Sequence, residues 1–88
     1  MPATVPTKIK VILVDDHIVV RQGFRRILEE NESLDVIAEG GSGDDAIRLA
    51  VEHNPDVAIM DLAMPGGLSG IEATRRITEK APQVRVTF

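Results

Sequence analysis

The chain has 88 residues, enough for one domain, and its content of 43% hydrophobic and 27% charged residues is typical of a globular protein. A net charge of −4 gives no bulk attraction to nucleic acid or to an anionic membrane, and the lack of cysteine excludes disulfides, thiolate catalysis and cysteine-based zinc sites. No apolar run approaches the roughly 18 residues that a membrane-spanning helix needs, so we expect a cytoplasmic protein that does not contact a membrane.

The order of apolar runs along the chain predicts strands that alternate with helices. Residues 1–7 contain two prolines and predict a disordered tail before a single domain at residues 8–88. Short runs rich in Val and Ile predict strands at residues 8–14, 34–39, 57–60 and 84–88. Helical spacing of apolar residues predicts helices at residues 18–30, 42–54 and 69–81. This alternation indicates βαβ units and a parallel sheet.

Local signals set the expected ends of the helices. Ser42 with Asp45 resembles a capping box, and Ser69 with Glu72 matches the full form of that motif. Pro55 closes the second predicted helix, because the residue before a proline avoids the α conformation.

The first predicted helix has an apolar face and several arginines. The apolar residues are Val20, Phe24, Ile27 and Leu28. The arginines at positions 21, 25 and 26, together with Arg75-Arg76, could suggest a nucleic-acid patch. Because the chain is acidic overall, solvated helix surfaces are the preferred interpretation.

Three carboxylates follow two of the predicted strands directly. Asp15 and Asp16 come after the first strand, and Asp61 comes after the third. Because parallel strands end at the same edge of a sheet, these side chains are expected to meet in one pocket outside the carboxyl ends. Such crowding is costly without a divalent cation, and an all-oxygen acidic site suits Mg²⁺.

Several segments together resemble the receiver domain of bacterial two-component response regulators. They are Val14-Asp15-Asp16-His17, Arg21-Gln22-Gly23, Pro55-Asp56-Val57, Met60-Asp61-Leu62-Ala63-Met64-Pro65-Gly66 and Gly70-Ile71-Glu72-Ala73-Thr74-Arg75-Arg76-Ile77. The resemblance runs from Lys8 to the last residue. It is nearest to the subfamily whose receivers precede a LuxR-type (NarL-type) helix-turn-helix DNA-binding domain.

The resemblance implies a role for each of the acidic residues. Asp61 would accept a phosphoryl group from a sensor histidine kinase. Asp16 and Asp61 would bind Mg²⁺ directly, Asp15 through water, and the backbone carbonyl of Ala63 would be a further ligand. The implied fold is a flavodoxin-like α/β domain with a parallel sheet in the order 2-1-3-4. The resemblance implies a signalling domain and not an enzyme.

A receiver of this family has five strands and five helices, and the present sequence stops in the expected fourth strand. We therefore expect an incomplete receiver without the fifth strand and its lysine, the switch Ser or Thr, the last helices and any DNA-binding domain. Contact with DNA would need that absent effector domain. A sheet face that the first helix covers only in part, together with an unprotected edge strand, would favour a homodimer.

Other interpretations remain. The three carboxylates could be solvated strand-end residues, and His17 could be a ligand, although an exposed loop histidine is preferred. Gly41-Ser42-Gly43-Asp44-Asp45-Ala46 fits a dinucleotide-binding pattern, but its two acidic residues would oppose a pyrophosphate. A haloacid-dehalogenase-like phosphatase would need a carboxylate where Ala63 stands. A truncated receiver that acts only by self-association is the last alternative.

Overall fold

Four β-strands and three α-helices alternate in the computed structural model, which describes residues 8–64 and 67–88. The elements are β1 (Ile9–Val14), α1 (Ile18–Glu29), β2 (Leu34–Gly40), α2 (Gly43–His53), β3 (Val57–Met60), α3 (Gly70–Lys80) and β4 (Arg85–Thr87). All seven predicted elements are present, and their ends agree with prediction to within about two residues. The predicted tail at residues 1–7 and the last two residues of the segment 60–66 that carries part of the family resemblance lie outside the described residues.

The strands form one parallel sheet in the order β2-β1-β3-β4, which confirms the predicted flavodoxin-like topology. Parallel strands need right-handed crossovers. The connection from β1 to β2 crosses the sheet in one direction, whereas the connections from β2 to β3 and from β3 to β4 cross it in the other. As a result, α1 covers one face of the sheet, and α2 and α3 cover the other.

The register of β1 aligns the carboxyl ends of the two strands that precede the acidic residues. Val14 pairs with Met60 on one side and with Gly40 on the other. The β1–β2 register shifts between Val11 and Ile12, so that Ile37 is passed over and β2 is one residue longer than predicted. The residues that follow Val14 and Met60 therefore leave the sheet at the same level.

The main hydrophobic core lies between the sheet and the pair α2–α3. Because side chains alternate along a strand, every second residue of β1 and β3 points into this core. The buried residues of this cluster are Ile12, Val14, Ala46, Leu49, Ala50, Ala58, Met60, Met64, Ala73, Ile77, Ala81 and Val84. Every residue of this cluster is aliphatic or a methionine.

Helix α1 covers its face of the sheet only in part. None of its residues is buried, and Val20 and Ile27 are 56% and 63% exposed. A cavity of about 270 Å³ lies beneath the helix, between Phe24 and the sheet residues Leu13 and Ile59. The apolar face that the sequence predicted for α1 is therefore present but remains largely open to solvent.

The helix ends follow the predicted signals with one exception. Ser42 Oγ accepts a hydrogen bond from Asp45 N at 3.1 Å, and Asp45 accepts one from Gly41 N. Ser69 Oγ likewise accepts from Glu72 N. The Glu72 carboxylate pairs with arginines of its own helix, so the full capping box predicted there is only half formed.

Within residues 8–64 and 67–88, no helix has the length and apolar character that crossing a bilayer requires.

Candidate functional site

The predicted acidic pocket is formed where β1 and β3 end. Asp15, Asp16 and Asp61 each offer a carboxylate oxygen, His17 offers a ring nitrogen, and these four atoms lie within 4.8 Å of one another. The three carboxylates are half-buried. The residues that the sequence placed at this edge of the sheet are thus brought together.

The backbone on either side of the pocket continues the hydrogen bonding of the sheet. Asp15 N donates to Gly40 O at 3.0 Å, and Asp61 N donates to Val14 O at 3.0 Å. Both bonds begin at the first residue after a strand, so the two loops leave the sheet from fixed positions. Asp15 and Asp61 are held at their main chains even though neither belongs to a strand.

Each of these loops is also fixed by a side chain of the pocket. Asp15 Oδ1 accepts a hydrogen bond from His17 N at 2.9 Å, and Asp61 Oδ1 accepts one from Ala63 N at 3.1 Å. Aspartate commonly bonds to the backbone two residues on, because its short side chain closes a turn. These bonds orient both carboxylates before any ligand arrives.

Asp16 differs from its neighbours because one of its oxygens is both buried and without a hydrogen bond to any described residue. Asp16 Oδ1 is buried and has no hydrogen-bond partner within the described ranges, although His17 Nδ1 lies 3.0 Å away. That contact is close enough for an ion pair, but it does not satisfy hydrogen-bond geometry. A buried carboxylate oxygen without a partner is costly, and a bound cation would satisfy it.

His17 is exposed, yet its ring nitrogen Nδ1 lies within ion-pair distance of both Asp15 and Asp16. Its side chain is 66% exposed, in agreement with the preferred interpretation, but Nδ1 is also 3.3 Å from Asp15 Oδ1. One sequence signal for this contact is that His17 directly follows the two aspartates. Because an all-oxygen set suits Mg²⁺, this nitrogen is better regarded as a neighbour of the carboxylates than as a ligand.

The donor set at this edge of the sheet fits Mg²⁺. Three half-buried carboxylates converge, and one of their oxygens is buried without a hydrogen bond in the part of the chain that the structure describes. Hard divalent cations prefer carboxylate and carbonyl oxygens. Ala63 is exposed beside Asp61, and a ligand role for its carbonyl stays a prediction.

The geometry disfavours the dinucleotide interpretation of the Gly41–Ala46 segment. A Cβ on Gly43 would lie 2.4 Å from Leu68 O, so this glycine allows α2 to pack closely against the loop before α3. The N-terminus of α2 already has Ser42 as its cap and two acidic residues in its first turn. A pyrophosphate would therefore meet negative charge at that position.

Two arginines of α1 that were expected on a solvated surface are partly buried instead. Arg21 and Arg25 both pair with Glu39 of β2, and the Arg21 side chain is 18% exposed. The Arg25 hydrogen bond is the main cause that lowers the pKa of Glu39, burial opposes it, and Arg21 lowers it further. The prediction of a fully solvated face is wrong for these two residues, and ion pairs 14 and 18 residues apart leave no local sequence pattern.

Comparison with known families and relatives agrees with the geometry. The profile of the response regulator receiver domain matches residues 11–88. The oxygen regulatory protein NreC from Staphylococcus haemolyticus is 46% identical over 77 residues, which make up 88% of this chain and 36% of NreC. The chain thus spans about a third of the length of the curated relatives it matches.

Solved structures give the same result. The signal receiver domain of NarL from Mycobacterium tuberculosis superposes with a TM-score of 0.86 and 34% identity, covering 92% of this chain and 64% of that domain. RcsB from Salmonella enterica, solved on a promoter in the presence of the phosphomimetic BeF₃⁻, gives a TM-score of 0.80 and 30% identity. That match covers 91% of this chain and 40% of RcsB.

Proposed function

Because this chain belongs to the family of response regulator receiver domains, with relatives of the NarL/LuxR type, we propose that it accepts a phosphoryl group on Asp61 with the help of Mg²⁺. The observation that carries the proposal is the convergence of three carboxylates from two strand ends within 4.8 Å. Three carboxylates at this distance repel one another unless a cation neutralises them.

Each carboxylate has its own proposed task. Asp16 and Asp61 would contact Mg²⁺ directly, Asp15 through a water molecule, and the Ala63 carbonyl would complete the protein's share of ligands. Asp16 suits direct contact, because its buried Oδ1 lacks a hydrogen bond in the described chain. When bound, Mg²⁺ neutralises the negative charge of the carboxylates and of the incoming phosphoryl oxygens.

The geometry of Asp61 suits a nucleophile. Its Oδ1 is engaged by Ala63 N, so Oδ2 is the oxygen proposed to attack phosphorus. The new O–P bond forms as the P–N bond to the donor histidine breaks, and the histidine nitrogen keeps the electron pair of that bond. The product is an acyl phosphate on the protein, so the chain takes part in a single transfer and is not proposed to be an enzyme.

The donor proposed for this transfer is a sensor histidine kinase, and the location proposed for the protein is the cytoplasm. Family membership supports both. Contact with DNA is proposed only through a separate effector domain, outside residues 8–88. RcsB, a structural relative, has been solved bound to a promoter.

Labelling with a small phosphodonor tests this function. The chain is incubated with acetyl phosphate, with Mg²⁺ or with EDTA, and its intact mass is measured over time. We expect one added phosphoryl group per chain, because Asp61 is the one acceptor proposed. It should form only with Mg²⁺, because the cation neutralises the charge of the pocket and of the incoming phosphoryl oxygens. Continuous hydrolysis of phosphoesters would instead indicate a phosphatase. No labelling would leave self-association as the function.

We also propose that the 88-residue chain forms a homodimer through α1. Two residues of the apolar face of that helix, Val20 and Ile27, are more than half exposed. Burying such surface contributes about 25 cal/mol per Å², so a symmetric pair would gain stability from the same face used twice. Light scattering at tens of micromolar should give twice the 9.6 kDa mass of one chain. A monodisperse 9.6 kDa species would contradict this proposal.

A further inference from the structure

We propose that Arg21 is a positioning residue for the acidic pocket. Its guanidinium holds the peptide group between Asp15 and Asp16 against the end of β2, and so sets the spacing of the carboxylates. This inference rests on the proposed function, because it concerns the same Mg²⁺ site.

Arg21 reaches the pocket through the backbone and not through a carboxylate. Its Nη1 donates to Asp15 O at 2.7 Å and to Gly40 O at 3.0 Å, while its Nε donates to Glu39 Oε1 at 2.9 Å. The guanidinium is planar and its N–H groups have fixed directions, so three simultaneous bonds leave it little freedom. Arg21 therefore joins the loop after β1 to the last two residues of β2.

The carbonyl that Arg21 holds determines how two carboxylates are placed. Asp15 O lies in the peptide plane that also contains the Cα atoms of Asp15 and Asp16. Holding this oxygen restricts rotation of the peptide plane, and so narrows the range of directions in which both side chains leave the backbone. Gly40 O accepts from Asp15 N as well as from Arg21 Nη1. The amide of Asp15 is therefore bonded to this carbonyl directly, and the carbonyl of Asp15 is linked to it through the guanidinium.

Arg25 provides a matched comparison on the same helix. It also pairs with Glu39, and it donates to Val36 O at 3.2 Å and to Glu29 at 3.1 Å. Among the described residues, Arg25 has no hydrogen bond to the loop that carries Asp15 and Asp16. Removing Arg25 would loosen α1 from β2 much as removing Arg21 would, but it would leave the peptide group of Asp15 alone.

The two effects that Arg21 can have on Mg²⁺ are opposite in sign. As a cation near the pocket, it repels Mg²⁺, so its removal would tighten binding if charge alone mattered. As a positioning residue, it keeps the ligands in place, so its removal would weaken binding. Lysine keeps the charge but is a point donor, and it cannot reproduce three directed bonds.

The experiment is a Mg²⁺ titration followed by backbone amide NMR on the parent chain, Arg21→Met, Arg21→Lys and Arg25→Met. Thermal melts by circular dichroism show which variants are folded. We expect Arg21→Met to bind Mg²⁺ about tenfold more weakly than the parent, the size typical of lost outer-shell partners. The Mg²⁺ affinity of Arg21→Lys should fall between those of the parent and Arg21→Met. The affinity of Arg25→Met should stay within about twofold of the parent, as for independent sites.

The outcomes separate this inference from the function on which it rests. If the parent does not bind millimolar Mg²⁺, the proposed function fails. If the parent binds and Arg21→Met binds equally or more tightly, the positioning role is wrong. An equal loss in Arg25→Met would also overturn it, because general loosening of α1 would then explain the effect. If Arg21→Met does not fold, the Mg²⁺ affinities of Arg21→Lys and Arg25→Met are compared instead. The inference is wrong if Arg21→Lys does not bind Mg²⁺ more weakly than Arg25→Met.

Discussion

Replacing Asp61 with asparagine is expected to abolish phosphoryl transfer from acetyl phosphate while leaving the domain folded. An amide oxygen is a poor nucleophile, and removing the nucleophile of a transfer reaction costs about 100-fold or more in rate. The asparagine Oδ1 can still accept the hydrogen bond from Ala63 N that Asp61 accepts at 3.1 Å. Intact mass after treatment with donor and Mg²⁺ measures the effect.

Asp44→Asn is the matched control for this experiment. Asp44 is exposed in the first turn of α2 and is not a member of the carboxylate cluster found among the described residues, so its replacement should leave labelling unchanged. A melt in EDTA provides a second control. Because Asp61→Asn removes one of three crowded negative charges, the variant should be at least as stable as the metal-free parent. Labelling that persists in Asp61→Asn would point to another acceptor.

The largest expected change in stability comes from Ile77→Ala on α3. Ile77 is 0% exposed and belongs to the core between the sheet and the α2–α3 pair. Truncating a buried isoleucine to alanine costs about 2–5 kcal/mol, through lost burial and the cavity left behind. For 88 residues at roughly 0.05–0.15 kcal/mol each, the total stability is about 4–13 kcal/mol. Urea unfolding should therefore show a much lower midpoint.

The same substitution elsewhere on α3 isolates the effect of burial. Ile71 is 71% exposed, and Ile71→Ala makes the same change in helix propensity as Ile77→Ala. We expect Ile71→Ala to stay within about 0.5 kcal/mol of the parent, as surface substitutions usually do. Equal losses in the two variants would mean that α3 does not form the core described above.

Local sequence signals predict most of the fold because each of them acts over a few residues. Runs such as Val57-Ala58-Ile59-Met60 have the length and β-branched content of buried strands, and Ser42 begins a helix whose Asp45 completes its cap. The acidic pocket could be predicted for the same reason. Once the sheet is parallel, Asp15 and Asp61 have to leave it at one edge.

The features that sequence reasoning missed depend on distant partners or on competition. The register shift opposite Ile37 is set by how β1 and β2 pair, which neither strand encodes alone. Arg21 is partly buried because Glu39 lies on the adjacent strand. At the start of α3, Glu72 was expected to cap the helix, but arginines three and four residues later offer charged partners.

The uneven cover of the two sheet faces means that stability is unevenly distributed over the domain. The side with α2 and α3 holds the buried core, whereas α1 contributes no buried residue. Helices with few buried contacts open at lower free energy than the core does, and they do so without global unfolding. The chain enters α1 directly from Asp15, Asp16 and His17. Asp15 and Asp16 are therefore attached to α1, the first element of the domain to open. Asp61 is instead followed by α3, which belongs to the part that opens last.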